Sequence, residues 1–140
     1  MWLADNDAFT PGLPHMPANL RTAADAMRLI GDELAKATVE ILRLAHLDRN
    51  GRVIAIDEQR GNRDMLDIAV DEIIRTACSR TTRRLLIAHN HPSGDPTPSL
   101  SDKIATRRLA EMLRLIEIDL IDHLVVGRGG VTSFRRMGFL

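Results

Sequence analysis

The chain has 140 residues, of which 44% are hydrophobic and only 3% aromatic, which suits a single domain with an aliphatic core. Lysine plus arginine and aspartate plus glutamate each number 19, so the formal net charge is zero and gives no overall attraction to nucleic acid. The single cysteine, Cys78, excludes an internal disulfide and a cysteine-rich metal site within one chain, and its apolar surroundings predict a buried side chain.

Residues 1–17 contain four glycines and prolines and little hydrophobic periodicity, which predicts an irregular N-terminal arm. The first residues lack the basic start and apolar run of a signal peptide, and no apolar stretch approaches the roughly 18 residues of a membrane span. We therefore expect a cytoplasmic protein without membrane association, whose folded domain covers residues 18–140. Nothing in the sequence indicates its oligomeric state.

The first half of that domain shows a helical pattern followed by a hairpin pattern. From Asn19 apolar residues recur at helical spacing, which predicts a helix to about Ala37, although Gly31 weakens its centre. Two apolar runs, residues 39–47 and 52–56, then flank an Asn-Gly pair, which predicts a β-hairpin.

The second half alternates helical and extended patterns. Helical spacing from 65 to 77 precedes a short apolar run at 85–88, which predicts a buried strand. A proline-rich loop over 92–98 leads to an amphipathic helix from Ser101 to about Glu117, and two strands follow, at 120–126 and 131–134. The apolar residues that the helical spacing turns inward are Ile104, Leu109, Met112, Leu113 and Ile116. This order predicts an α/β fold, a mixed sheet flanked by helices.

The end of the buried strand and the loop that follows it carry the candidate metal ligands. His89 and His91 are two positions apart at the strand's end, so both imidazoles would point to the same side. The loop then returns the chain to Asp102 in the first turn of the next helix. Two histidines and one carboxylate, with a fourth position left for water, are typical of a catalytic zinc site. A zinc nucleobase deaminase is disfavoured, because its ligand set needs more than one cysteine.

Asp102 also fits a structural role. Ser99 precedes it by three residues, as in a capping box at a helix N-terminus, and an acidic residue in the first turn is favoured by the helix dipole. Both roles remain open for Asp102, and for Ser99 helix capping is as well supported as a role in catalysis.

The full spacing is His89-X-His91, seven residues, Ser99, two residues and Asp102. It resembles the signature of the JAMM (MPN/JAB) metallopeptidases, and the string HNHPSGDPTPS resembles their RadC-type bacterial branch, with a likeness that covers roughly residues 38–135. The resemblance implies a three-layer fold similar to that of cytidine deaminases. It also implies a Zn²⁺-dependent peptidase or isopeptidase in which His89, His91 and Asp102 hold the metal and the Ser99 hydroxyl donates to the developing oxyanion.

The same resemblance requires an upstream glutamate as general base. Glu40 fits that position best, because it opens a strand that leads to a Leu-Asp pair before the turn. Glu58, expected just beyond the second hairpin strand, and Glu72, on a helix, are the rivals. The chain departs from the branch's usual pattern at 62–66 and 70–71, so the substrate preference cannot be carried over from the family.

Several polar residues near this motif have structural interpretations. Asp122 and His123 on a late strand could support a metal ligand, although a satisfied buried pair is the more common case. Asp95 lies between Gly94 and Pro96 and fits a turn, and His46 is about 20 Å along the strand from Glu40 at roughly 3.3 Å per residue. The alternative function is a non-catalytic RadC-like module that binds a protein or DNA partner.

Overall fold

The computed structural model describes residues 2–3, 27–31, 33–61 and 65–140. Within them, two α-helices and six strands form. The helices are α1 (Met65–Ser79) and α2 (Leu100–Leu115), and the strands are β1 (Trp2–Leu3), β2 (Glu40–Leu47), β3 (Val53–Gly61), β4 (Arg84–Asn90), β5 (Asp119–Gly127) and β6 (Gly130–Ser133). The strands make one sheet in the order β1-β3-β2-β4-β5-β6, with β4 and β5 parallel and the other neighbours antiparallel. The predicted α/β fold with a mixed sheet is confirmed.

The predicted hairpin forms between β2 and β3. Gly51 adopts a φ of +83°, which favours glycine in the turn, and the Asp48 backbone N–H donates to the Arg52 carbonyl at 2.8 Å. The second strand is longer than predicted and runs to Gly61, so the expectation that Glu58 lies beyond it is wrong. Pairing with β2 along this whole length holds the additional residues in extended form.

The central strand β4 is buried on both faces, as its apolar run predicts. Leu85 and Ile87 face α1 and α2, where they join Leu42 and Leu44 of β2 in one core. Alternate residues of β4 face a second core on the other side of the sheet. Burial on both faces explains the nearly continuous hydrophobic sequence of β4.

The second core is covered by two short helical segments rather than by the predicted helix to Ala37. Met27–Gly31 is a π-helix, Leu34–Lys36 is a 3-10 helix, and Ala37 is extended. The helix prediction is therefore wrong in its described part, while residues 19–26 lie outside the described residues. Gly31 lowers helix propensity where the two segments meet, and buried apolar side chains from both segments pack on the sheet instead.

The strand β1 differs from the irregular arm expected at the N-terminus. Its two residues pair with Glu58 and Gln59 at the outer edge of β3. Residue 1 and residues 4–17, the rest of the predicted arm, lie outside the described residues. No α-helix in the described part of the chain is long and apolar enough to cross a membrane.

Three side chains predicted to be buried are exposed. Cys78 lies on the outer side of α1, because Val70, Ile73 and Ala77 form the face that packs on the sheet. Ile104 is 59% exposed and Ile116 39%. The predictions for Leu109 and Leu113 are confirmed, because both are fully buried, and Met112 packs partly buried against the same core. Asp102, Ala105 and Thr106 complete the inward face of α2.

Candidate metal centre

The candidate centre lies at the end of β4, on the sheet face that α1 and α2 cover. His89 points to this face because it alternates with Ile87, and His91 follows two residues later. The His91 backbone N–H donates to the Val126 carbonyl at 2.8 Å, so β5 holds the chain after β4 has ended. α2 then begins at Leu100 and presents Asp102 in its first turn.

The loop between the two elements is fixed against the turn that joins β5 and β6. Gly94 has a φ of +93°, and its carbonyl accepts a hydrogen bond from the Gly129 N–H at 3.0 Å. A Cβ on Gly127 would lie 2.3 Å from that carbonyl oxygen. Glycine at Gly127 thus permits the close approach by which the loop returns to the site.

The predicted metal ligands come together. The Nε2 atoms of His89 and His91 are 3.1 Å apart. His91 Nε2 lies 3.1 Å from Asp102 Oδ2, and His89 Nε2 lies 3.5 Å from Asp102 Oδ1. Metal–ligand distances of 2.0 to 2.2 Å in a tetrahedral zinc site imply donor separations of about 3.3 Å. The three side chains therefore fit Zn²⁺, and theirs is the one such cluster among the described residues.

Each imidazole has a polar partner on the side that faces away from the centre, as a histidine that binds a metal through Nε2 requires. His91 Nδ1 donates to the Asp95 carbonyl at 2.9 Å, which leaves the lone pair of Nε2 directed at the centre. His89 Nδ1 lies 2.7 Å from His123 Nε2, and His123 Nδ1 lies 2.6 Å from Thr106 Oγ1. When His89 and His91 both carry their proton on Nδ1, lone pairs of two imidazoles and a carboxylate converge on one point, an arrangement that a cation stabilises.

Without a metal ion, ring protons of the two histidines take the place of the cation beside Asp102. Burial alone would raise the pKa of Asp102, but hydrogen bonds to His89 and His91 outweigh it and hold that pKa well below its usual range. The hydrogen bond to Asp102 raises the pKa of His91, to which the charge of Glu40 also contributes. Complete burial lowers the pKa of His123 well below its ordinary value. A neutral His123 keeps the Nε2 lone pair that accepts from His89.

Ser99 and Asp102 form the capping box that their spacing predicts. The Asp102 N–H donates to Ser99 Oγ and the Ser99 N–H to Asp102 Oδ2, both at 2.9 Å. Asp102 therefore caps α2 and faces the histidines at the same time. A hydroxyl can accept and donate at the same time, so the capping role of Ser99 is compatible with donation to an oxyanion.

Of the three glutamates considered as general base, Glu40 best meets the requirement that its side chain lie on the same sheet face as the histidines. It begins β2 two residues before Leu42, which pairs with His89, so its side chain leaves the sheet on the histidine face. Glu58 instead binds Arg43 at 2.8 Å on the other face. No hydrogen bond or ion pair joins Glu72 to the three described ligands. The catalytic role of Glu40 stays a prediction.

Comparison with known proteins matches residues 20–139 to a family described as the RadC-like JAB domain. The chain is 39% identical over 112 residues to a UPF0758 protein of Symbiobacterium thermophilum, covering 79% of this chain and 48% of that one. It is 37% identical over 120 residues to a UPF0758 protein of Roseiflexus castenholzii, covering 85% and 52%. The chain belongs to the RadC-like JAB domain family. It spans about half the length of these curated relatives.

Three other polar residues considered from the sequence of this JAB domain, Asp95, Asp122 and His123, have hydrogen-bond partners. Asp95 Oδ1 accepts from the Thr97 N–H at 3.0 Å, as expected of a turn residue. Asp122 accepts from the Ser133 hydroxyl and from the Arg135 N–H, and so ties β5 to the end of β6 and to the segment that follows it. Its neighbour His123 does contact a predicted metal ligand, which sequence reasoning considered the less common case.

Two further residues of the JAB domain's site were not recognised from the sequence. Thr106 lies one helical turn after Asp102 on the inward face of α2, and this spacing was an available signal. Phe134 stacks on the His123 ring with centroids 4.5 Å apart, a contact for which the sequence offered no signal. Together they hold the His123 ring that orients His89.

Proposed function

We propose that this JAB domain is a zinc-dependent hydrolase of peptide or isopeptide bonds. The observation that supports the proposal is the convergence of His89, His91 and Asp102 at separations of 3.1 to 3.5 Å. Two imidazoles and a single carboxylate favour zinc over magnesium or calcium, which prefer all-oxygen ligand sets. A set of three protein ligands leaves a coordination position for water or substrate.

Bound there, Zn²⁺ would supply a water of lowered pKa and polarise the substrate's carbonyl. Glu40 accepts a proton from the attacking water and returns it to the leaving amine. The Ser99 hydroxyl donates to the oxygen on which negative charge develops, an interaction of about 3 kcal/mol in comparable sites. His123 and the Asp95 carbonyl keep both imidazoles in the required tautomer.

Metal content tests the first half of the proposal. The purified chain is stripped with a chelator, dialysed against zinc, iron or manganese, and analysed for bound metal. We expect one zinc per wild-type chain and loss of that zinc in His89→Ala and in Asp102→Ala. Stoichiometric zinc in either variant would contradict the assigned ligands.

Hydrolysis tests the second half. The probes are internally quenched peptides and peptides branched through a lysine Nε amide. Glu40→Gln should keep zinc and lose about 10²- to 10⁴-fold in kcat, whereas Glu58→Gln, the matched change on the other sheet face, should retain activity. Zinc binding without cleavage of any probe, together with a salt-sensitive shift of DNA, would instead support the non-catalytic alternative.

A further inference from the structure

Asn90 separates the two histidines of the candidate centre and faces away from them. Strand alternation directs its side chain to the opposite side of β4, where the residue is 1% exposed. A buried carboxamide is costly unless its donor and acceptor are both satisfied. Its partners therefore indicate what it holds in place.

The Asn90 carboxamide binds the backbone on both sides of Glu40. Its Oδ1 accepts from the Ile41 N–H at 2.6 Å, and its Nδ2 donates to the Val39 carbonyl at 2.9 Å. The Val39 carbonyl belongs to the peptide unit before Glu40, and the Ile41 N–H to the unit after it. One planar side chain thus fixes both peptide planes of the predicted general base.

This contact begins where the regular pairing of strands ends. The β2–β4 ladder has its last pair at Leu42 and His89. One residue further, the Asn90 side chain replaces the backbone as the partner of β2. Without it, Glu40 would lie in a strand end held on the β3 side alone.

We propose that Asn90 is a positioning residue, which fixes the Glu40 backbone so that its carboxylate faces the metal centre. The inference rests on the proposed function, because it assigns a consequence to the placement of the general base. Asparagine suits this task because its carboxamide offers one acceptor and one donor in a single plane. An aspartate would direct an oxygen at the Val39 carbonyl, and a serine would be too short to reach both groups.

Amide hydrogen exchange in the metal-free protein tests the contact itself. In Asn90→Ala the Ile41 amide should exchange about tenfold faster or more, because its acceptor is lost. The Leu44 amide, in the middle of β2, should be unchanged. Equal protection of Ile41 in both proteins would overturn the proposal without any measurement of activity.

A double-mutant cycle on the zinc-loaded protein tests whether Asn90 acts through Glu40. With the quenched-peptide probes, Asn90→Ala should lower kcat about 10- to 100-fold, as expected from a misplaced catalytic group, with KM and bound zinc unchanged. In a Glu40→Gln background the same change should cost less than twofold. Equal losses in the two backgrounds would show that Asn90 acts independently of Glu40 and would overturn the proposal.

Thr82→Ala is the matched control. It also removes a buried side-chain hydrogen bond, from Thr82 Oγ1 to His46 Nδ1, at the other end of β2. It should lower stability without changing kcat, and a comparable loss of kcat would show that the Asn90 effect is merely structural. Failure of the wild type to cleave any probe would overturn the proposed function, and the role of Asn90 with it. Protection of the Ile41 amide from hydrogen exchange tests the hydrogen bond to Asn90 Oδ1 independently of activity.

Discussion

Two polar clusters centred on histidine lie at opposite ends of β2, on the same sheet face. At the end away from the metal centre, His46 contacts Thr82 Oγ1 and Asp57 Oδ2, both at 2.8 Å, and Arg80 binds the other oxygen of Asp57 at 2.7 Å. At the metal centre, the Nε2 atoms of His89 and His91 face each other. Each ring nitrogen of His46 has a protein partner of its own, whereas the Nε2 atoms of His89 and His91 converge on each other and on the same carboxylate, Asp102.

Exposure separates the clusters in the same way. The side chains of His46 and Asp57 are 0% and 1% exposed. At the metal centre His89 is also buried, at 2%, but His91 and Asp102 are 20% and 11% exposed and open the centre to solvent. A threonine, a histidine and an aspartate in a row therefore do not make a catalytic site at His46, because substrate cannot reach it. The comparison shows that a buried histidine signals function when its lone pair faces a reachable space and structure when its partners are complete.

The largest expected effect is stabilisation by zinc, which should depend on the metal centre and not on the cluster around His46. Zinc at about 1,000 times its Kd should raise the free energy of unfolding of the wild type by about 4 kcal/mol, because it binds the native state only. His89→Ala should show no such gain. Urea denaturation with zinc and with chelator measures this increase in the free energy of unfolding. Thr82→Val, which alters the cluster around His46, should retain the full increase. A similar gain in His89→Ala would place the zinc elsewhere.

The next effect concerns stability without metal. Asp57→Ala should lower the free energy of unfolding by about 3 kcal/mol, because it leaves His46 and Arg80 without their shared partner. This value is near the lower limit of what a broken buried ion pair costs. Asp102→Ala should cost only about 1 kcal/mol in the metal-free protein, the value of a helix cap. Urea denaturation in chelator compares the two. Equal losses would mean that Asp102 serves the fold as much as Asp57 does.

A smaller effect on zinc binding is expected from residues that contact the metal ligands but do not bind the metal themselves. His123→Leu removes the acceptor of the His89 Nδ1–H and should weaken zinc binding about 10- to 100-fold, as is usual for groups that orient a metal ligand. Thr106→Val, one hydrogen bond further away, should weaken it by less. Competition with a chromophoric chelator gives both affinities, and unchanged binding in His123→Leu would remove this support from the site.

The smallest effect is a dependence on pH. Burial alone would raise the pKa of Asp57, but hydrogen bonds from His46 and Arg80 lower it below the ordinary value of 3.8. A depressed native pKa stabilises the fold above the unfolded value, and this stability is lost as the pH falls through the native pKa. The wild type should therefore lose stability below about pH 4, with a shallower loss in Asp57→Asn. Parallel curves would contradict the assigned ion pair.

Local sequence signals predicted most of the fold. The Asn-Gly pair located the β2–β3 turn, and helical spacing located α1 and α2 to within two residues at each described end. Predictions that depended on distant partners were less accurate. Cys78 and Ile104 lie in helices, as predicted, but which helical face turns inward depends on the sheet that it meets. Glu58 lies inside a strand because β2 pairs with it there.

The sequence by itself determined the residue types and the spacing of the candidate site, because a strand end, a short loop and a helix start are local features. It fixed which three side chains could bind one metal ion. Only the tertiary structure decided what supports them. His123, Thr106 and Asn90 reach the site through the pairing of β4 with β5 and β2 and through the packing of α2. Apart from the helical spacing that places Thr106 on the same face of α2 as Asp102, such contacts join residues far apart in the chain, and no local pattern encodes them.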